Sequence, residues 1–599
     1  MLVALDPTKE KPSPLQLLVS RRAGHEQRSG NRSGATRTVM FRQEVARFTI
    51  TYRELSMNVI DHQAHTYETL QKGFNLRWPP SIEQGAQRIY VCTTPDEVLA
   101  AANTALREGY RITVRSGGHC YEGFVSNKLN GEAESLAIID VGEMKGLKYD
   151  ENQSITSPWD SQNKKYRFMT LTGNQNWDGY LSLYKQAGRT IPGGSCYSVG
   201  VGGHISGGGY GLLSRLQGLT VDWVTGVDIL VPVENSRQLE FRHVRADSPS
   251  NNDKALFTAC CGAGGGNFGI IIGYYFDQLP QAPQKAYWIP LAYPWKELIP
   301  NFSNFLRAYW QWFADNDAAA TSPVEGIGNG GLFTLLKLNH VDTSDHVVLA
   351  IQYTGPNGQV GGANDIPLND FINKMNAAAG LTPTLHDGFI APNIAPLRHP
   401  QAGRKFKGTA AQHTAMDWLY VTQMINGSGN NQRGKYKSDY QVEQFSEQAC
   451  NALLTHLTEA TPDKRFSQSL VQIDSYGGAI NKKGMGTTAV PQRSSLLKAQ
   501  YQTYWTHAAE DGVQLAWIRN IFTAVHGGKP QRPAYDGCYI NYPDVDMKYT
   551  DSGALDPNWL NLYYGWNSEL ITKLANLKAA IDPHNLFRHE LSIPATRTE

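Results

Sequence analysis

The sequence has 599 residues, too many for one ordinary hydrophobic core, which implies at least two domains. Its 55 basic and 54 acidic side chains nearly cancel, removing the electrostatic footprint expected of a nucleic-acid binder. An apolar share of 41% with 10% aromatics fits a globular enzyme rather than a disordered chain, and no apolar run reaches the roughly 18 residues that span a bilayer.

Residues 1–50 are polar and basic and read as a solvated extension. No signal peptide is recognisable there: Ser20-Arg21-Arg22 is followed by nothing apolar, so a cytoplasmic or otherwise soluble location is expected and secretion stays open. From Arg88 the pattern becomes regular. RIYVCTT reads as a strand; Thr94 then serves as a helix N-cap, with Pro95 at the first helical position and Glu97 closing a capping box. Val98, Leu99, Ala102, Ala105 and Leu106 supply one apolar helix face, and Gly109 ends it. A second strand, RITV, runs into Arg115-Ser116-Gly117-Gly118-His119, where consecutive backbone N–H groups in a glycine turn make a concave anion site. LAIIDV and RFMTL are further strands, and a helix near Trp177 to Gly188 leads into the glycine-rich stretch Ile191 to Leu212. That stretch also carries Val, Ile, Tyr and Cys, unlike a flexible linker, and reads as an ordered backbone wall against a large flat or phosphate-bearing ligand.

Val224 to Val233 is another strand. Gly264, Gly266 and Gly269 satisfy G-x-G-x-x-G, but a helix-like segment precedes them and a strand-like one follows, the reverse of a dinucleotide fingerprint. Pro280, Pro283, Pro290 and Pro294 mark a boundary. Beyond it, helical stretches such as NFLRAYWQWFADN alternate with strands such as HVVLAIQYTG and SLVQIDSYGG, which suits an antiparallel sheet backed by helices. The seven cysteines are scattered with no CxxC, which argues against a disulfide framework and a zinc site; no metal is expected, and vicinal Cys260-Cys261 reads as buried packing.

RSGGH followed by GGSCYSVGVGGHISGGGYG resembles the vanillyl-alcohol-oxidase family of flavoproteins, and more closely its berberine-bridge-enzyme-like branch. GGGNFG, CYINYPD, YYGWN and DPHNLF extend the resemblance over residues 80–595. It implies an α+β fold: an FAD-binding domain in two parts, residues 51–280 and 536–599, around a substrate domain at 281–535. It also implies FAD held by two covalent bonds, 8α-histidyl at His119 and 6-S-cysteinyl at Cys196. Around the cofactor it places Arg115, Ser116, Gly117, Gly118 and Gly123 from the first stretch. From the second come Val199, Gly200, Gly202, Gly203, Gly207, Gly208, Gly209 and Gly211, and from later segments Gly266, Asn267, Gly269, Ile270, Tyr564 and Asn567. Relatives commonly have Asp after the attached histidine; here it is Cys120. Val199 falls at the family's oxygen gatekeeper and resembles the oxygen-reactive members, implying hydrogen peroxide as a product.

Oxidising an alcohol needs a base for the hydroxyl proton while hydride leaves carbon. Gln472 and Asp474 are two apart on one strand, hence on one face, and the pair resembles that of the family's carbohydrate oxidases, where the acid assists a catalytic tyrosine. Tyr542 or Tyr539 would be that tyrosine; three apart, they fall on opposite faces of a regular strand, so one is expected to point at substrate. Gln500 is a candidate for binding substrate hydroxyls. The leading expectation is an oxidase of a secondary or hemiacetal alcohol of a sugar, oligosaccharide or glycosylated natural product, with O2 as acceptor. An oxidative cyclase of a secondary metabolite and a non-catalytic flavin-bearing binding protein are the alternatives. The sequence says nothing of oligomeric state.

Overall fold

Three sheets organise the described residues. The computed structural model describes residues 57–595 apart from residues 235, 318–328, 356, 387–412, 426–430 and 483–487. The expected N-terminal extension therefore lies outside the described residues. The first sheet contains β1 (Asn58–Ile60), β2 (Arg88–Val91), β3 (Arg111–Arg115) and β4 (Leu136–Asp140), in the order β1-β2-β4-β3. β2 and β3 both run parallel to β4, so β2, the helix Pro95–Arg107 and β3 form the expected βαβ-like unit with β4 inserted between its strands. Thr94 caps that helix by accepting the Glu97 N–H at 3.2 Å. The Glu97 carboxylate departs from the expected box: it takes the Thr93 N–H at 2.7 Å and the Thr93 hydroxyl at 2.9 Å, one residue further back.

The second sheet is antiparallel, with β5 (Leu147–Tyr149), β6 (Phe168–Leu171), β7 (Gly226–Pro232), β8 (Leu239–Val244) and β9 (Ile270–Phe276) in the order β5-β6-β9-β7-β8. The long glycine stretch leaves this sheet after β6 and returns to it at β7, and GGGNFG enters it at β9.

The third sheet is the largest: β10 (Lys285–Pro294), β11 (Leu332–Asn339), β12 (His346–Tyr353), β13 (Thr384–Leu385), β14 (Met416–Asp417), β15 (Arg433–Gln441), β16 (Ser469–Ser475) and β17 (Leu497–Trp505). Its order is β13-β10-β12-β11-β16-β17-β15, with β14 also on β10, and every pairing is antiparallel. Helices Ile366–Ala379, Phe302–Asn316, Glu447–Thr458 and Asp511–His526 pack in that sequence, the last against β15 and β17. Odd-numbered Val471, Ile473 and Tyr501 are buried, while even-numbered Gln472, Asp474, Gln500 and Gln502 line a cavity, the two-residue alternation of a sheet.

The C-terminal segment then returns to the second sheet's side. Lys578, fully buried and paired with Asp582 at 2.7 Å, donates to the Asn267 carbonyl at 2.7 Å, and the Ile593 N–H donates to the Asn267 side chain at 3.1 Å. No helix among the described residues is long and apolar enough to cross a membrane.

Backbone meets backbone where the first two sheets' glycine loops touch. A Cβ on Gly117 would stand 2.3 Å from the Gly200 nitrogen, and one on Gly200 would stand 2.0 Å from Ser116 Oγ. Ser116 Oγ is itself tied to the Thr172 carbonyl at 2.6 Å, so it has nowhere to retreat. Gly200→Ala is expected to destabilise the protein by about 1–3 kcal/mol, as overpacking does, read as a lower urea midpoint at unchanged slope.

Candidate functional site

A cavity of about 720 Å³ lies between these glycine loops and the front of the third sheet. Its first wall is backbone. Gly117, Gly118 and His119 follow β3; Gly200, Gly202 and Gly203 open the short helix Val201–Ser206. Among the described residues, the N–H groups of Gly117, Gly118, His119, Gly202 and Gly203 have no hydrogen-bond partner, and a Cβ on Gly203 would meet nothing within 4 Å. Donors arrayed around open space suit an anionic group such as a pyrophosphate. Gly211, Gly266, Asn267, Gly269 and Ile270 line the same cavity, as does Val199.

Arg115 also lines the cavity, with its guanidinium turned to Asp140 at 2.6 Å and to the Leu70 and Lys72 carbonyls, which brace the loop. Other expected positions have different neighbours. Gly123 fits against Trp78 and Asn127, Gly207 against Asn541, Gly208 near Val490 and Gly209 against Thr220; none of the four lines the cavity. These glycines allow protein to approach protein. Tyr564 is 1% exposed and donates to the Ala263 carbonyl at 3.0 Å, beneath the GGGNFG loop. Asn567 is exposed and caps helix Ser568–Ile581 through the Glu569 N–H at 2.9 Å.

His119 and Cys196 both line the cavity. The His119 ring stacks on Phe74 at 3.6 Å, and its Nε2 lies 2.9 Å from Ser198 Oγ. Burial pushes its pKa down to about 4, so the imidazole is neutral with a lone pair at neutral pH. His204 is pushed down to about 4 for the same reason, and its Nε2 accepts the Gly194 N–H at 3.0 Å, holding the turn that presents Cys196. Burial pushes the Cys120 thiol up to about 11, and it donates to the Glu122 carbonyl at 2.9 Å.

The opposite wall is the third sheet. Asp474 is 2% exposed, not a surface carboxylate, and pairs across the β16–β17 register with Lys498, which is fully buried. Lys498 Nζ is 2.9 Å from Asp474 Oδ2 and donates to the Tyr542 hydroxyl at 3.1 Å. Gln472 donates to Asp474 Oδ1 at 2.8 Å. Burial raises the Asp474 pKa, with Lys498 and Gln472 opposing that rise. Burial, and then the Asp474 charge, raise the Tyr542 phenol well above 10. Lys337, opposite Gln472 on β11, is pushed down to about 8 by burial.

The tail motif differs from expectation. Tyr539 and Tyr542 are not on a strand: the Tyr542 N–H donates to the Tyr539 carbonyl at 2.8 Å, closing a turn that brings the rings together at 4.9 Å. Lys498 Nζ sits 4.4 Å from the Tyr542 ring centroid and 5.3 Å from that of Tyr539. Only Tyr542 has its hydroxyl on the lysine; Tyr539 accepts from Asn541 at 3.1 Å. Gln500 donates to the Tyr121 hydroxyl at 3.1 Å and accepts from Gln502 at 3.0 Å, so it orients a tyrosine. Sequence reasoning missed Lys498, Lys337, Tyr121 and Tyr436; the alternation of Lys498, Gln500, Gln502 and Tyr504 along LKAQYQTYW was the available signal for the lysine.

Comparison with known proteins places these motifs in a family. The model described as "FAD binding domain" matches residues 86–235, and "Berberine and berberine like" matches 538–594. The chain is 32% identical over 584 residues to the hexose oxidase of Chondrus crispus, covering 91% of this chain and 98% of that one. It is 31% identical over 558 residues to the aclacinomycin-N/aclacinomycin-A oxidase of Streptomyces galilaeus, covering 89% of each. Among solved structures, a glycopeptide hexose oxidase complexed with teicoplanin matches with a TM-score of 0.72 at 26% identity, covering 90% of this chain and 98% of that one.

Lys498→Met would leave Asp474 buried with Gln472 as a hydrogen-bond partner and Lys337 as its remaining cation. Removing one partner of a buried pair is expected to cost about 3 kcal/mol, read as a drop in the thermal midpoint that the double variant with Asp474→Leu largely restores.

Proposed function

The chain belongs to the berberine-bridge-enzyme-like branch of the vanillyl-alcohol-oxidase family of FAD-linked oxidoreductases, and from that premise we propose an oxidase of sugar alcohol groups with doubly tethered FAD. The observation carrying this reading is that Tyr542, Lys498, Asp474 and Gln472 form one hydrogen-bonded cluster on the wall opposite His119 and Cys196. His119 and Cys196 would hold the ring covalently, and the N–H groups of Gly117, Gly118, Gly202 and Gly203 its pyrophosphate. Bound FAD supplies a two-electron acceptor for hydride. The relatives named as oxidases of hexoses and of aclacinomycin support a secondary or hemiacetal alcohol of a sugar, oligosaccharide or glycosylated natural product as donor. Dioxygen takes the electrons and leaves as hydrogen peroxide, with Val199 in the cavity wall.

The residues then have a proton to move. Lys498 gives a proton to Asp474, the amine so formed takes the phenol proton of Tyr542, and Tyr542 takes the proton of the substrate hydroxyl. One proton leaves the substrate, one arrives on the carboxylate, and Tyr542 and Lys498 end as they began. A buried carboxylate with a raised pKa is a better terminus for that relay than a solvated one. Gln472 holds the acceptor oxygen in place from the same strand face.

An anaerobic screen of sugars, oligosaccharides and polyketide alcohols tests the class: saccharides should bleach the flavin, and bleaching by none of them rejects the reading. Acid-precipitated protein should stay yellow, with tryptic flavopeptides mapping to His119 and Cys196. Tyr542→Phe should slow anaerobic flavin reduction by about 10²-fold, as loss of a proton acceptor does. Because the ionised carboxylate is the active form and its pKa lies above the ordinary value, reduction should fall on the acid side at a higher pH than a solvated aspartate would give. Asp474→Asn should remove that limb of the stopped-flow profile.

A further inference from the structure

Behind the tyrosines of the site lies a second group of charges that the chemistry does not use. β15 is the edge strand of the third sheet, and Tyr436 faces the cavity from it. Its neighbours Lys435 and Lys437 therefore project from the opposite face, where they are 1% and 2% exposed. Lys435 Nζ contacts the Glu122 carboxylate and lies 2.6 Å from Asp544 Oδ1. Lys437 Nζ lies 2.7 Å from Asp544 Oδ2 and 2.9 Å from Asp546 Oδ2. Arg519, on helix Asp511–His526, closes the group 2.8 Å from Asp546. Three cations meet three carboxylates, so the cluster is neutral.

Four of the six members are near neighbours in sequence of aromatic rings in the site. Glu122 follows Tyr121, Lys435 and Lys437 flank Tyr436, and Asp544 stands two residues after Tyr542. On the cavity side those rings form one stack: Tyr121 on Tyr436 at 3.5 Å and 8°, and Tyr121 to Tyr542 at 5.5 Å and 25°. The loop after β3 and the tail turn thus reach the same strand edge twice, by rings in front and by carboxylates behind.

Stability alone accounts poorly for such a cluster. Buried ion pairs are replaceable by apolar side chains with little loss, and Glu122 Oε2 is buried with no hydrogen-bond partner among the described residues. Charge-assisted hydrogen bonds do fix distance and direction, which apolar contact does not. We propose that this six-charge cluster is a positioning device: it indexes the loops bearing Tyr121 and Tyr542 to β15 and thereby sets where the Tyr542 hydroxyl meets the substrate. The inference rests on the reading that Tyr542 receives the substrate proton.

A double-mutant cycle tests it. The paired variant Glu122→Leu/Lys435→Met removes the tether and leaves Asp544 its bond to Lys437. Flavin content is read from absorbance and reduction from anaerobic stopped flow, using the fastest reductant among glucose, galactose, lactose and maltose. The pair should keep its flavin and reduce about 10- to 100-fold more slowly than the parent. In the Tyr542→Phe background it should slow reduction by less than about twofold, because the group it positions is already gone. A parental rate in the pair, or the same slowing in both backgrounds, overturns the positioning role. A parental rate in Tyr542→Phe alone instead rejects the proton acceptor, so the two failures are told apart. Glu122→Asp, which keeps the charge but withdraws it by one methylene, enters the same cycle if the pair does not fold. Bleaching by no sugar overturns both readings.

Discussion

The contact on which the site depends is the one between Gly117 and Gly200, where two loops meet main chain to main chain with the Ser116 hydroxyl packed against Gly200. A Cβ on either glycine has no room, so both must lack one. Residues of both loops line one cavity, together with His119 and Cys196. A single methyl in the seam would push apart the two arms of the cradle and, with them, His119 and Cys196.

Much of this was legible in the residues. The helix Pro95–Arg107 carries its own start signal and apolar face, and RSGGH and GVGGH announce backbone exposed to a ligand. What glycine cannot announce is the nature of its neighbour. Gly203 faces open space, whereas Gly207 and Gly209 face Asn541 and Thr220, and the sequence looks alike in each case. Tyr539 and Tyr542, three apart, read as lying on opposite faces of a strand, yet a turn closes between them and puts both rings over one ammonium. Lys498 escaped notice because a lysine in a strand ordinarily reads as a solvated side chain. Only the register with Asp474 reveals that it is inside.

The third sheet departs from the ordinary division of labour between faces. Its helix-covered side is apolar at Val471, Ile473 and Tyr501 but carries Lys435 and Lys437 on β15, and the other side is also enclosed and carries Gln472, Asp474, Lys498, Gln500 and Gln502. These groups satisfy one another in chains, Gln472 to Asp474 to Lys498 to Tyr542, and Tyr504 to Gln502 to Gln500 to Tyr121. Buried polar networks of this kind are rigid when complete, so this wall of the cavity keeps one arrangement.

The tail of the polypeptide has a bearing on how the protein comes into being. Tyr542 stands in the cavity wall, and the Ile593 N–H and Lys578 ammonium clasp Asn267 from the far end of the chain. Both glycine arms and all three sheets are translated before those parts. The cavity therefore gains this piece of its wall after the rest, and a chain arrested before residue 538 would carry both glycine arms without Tyr542 or the clasp on Asn267.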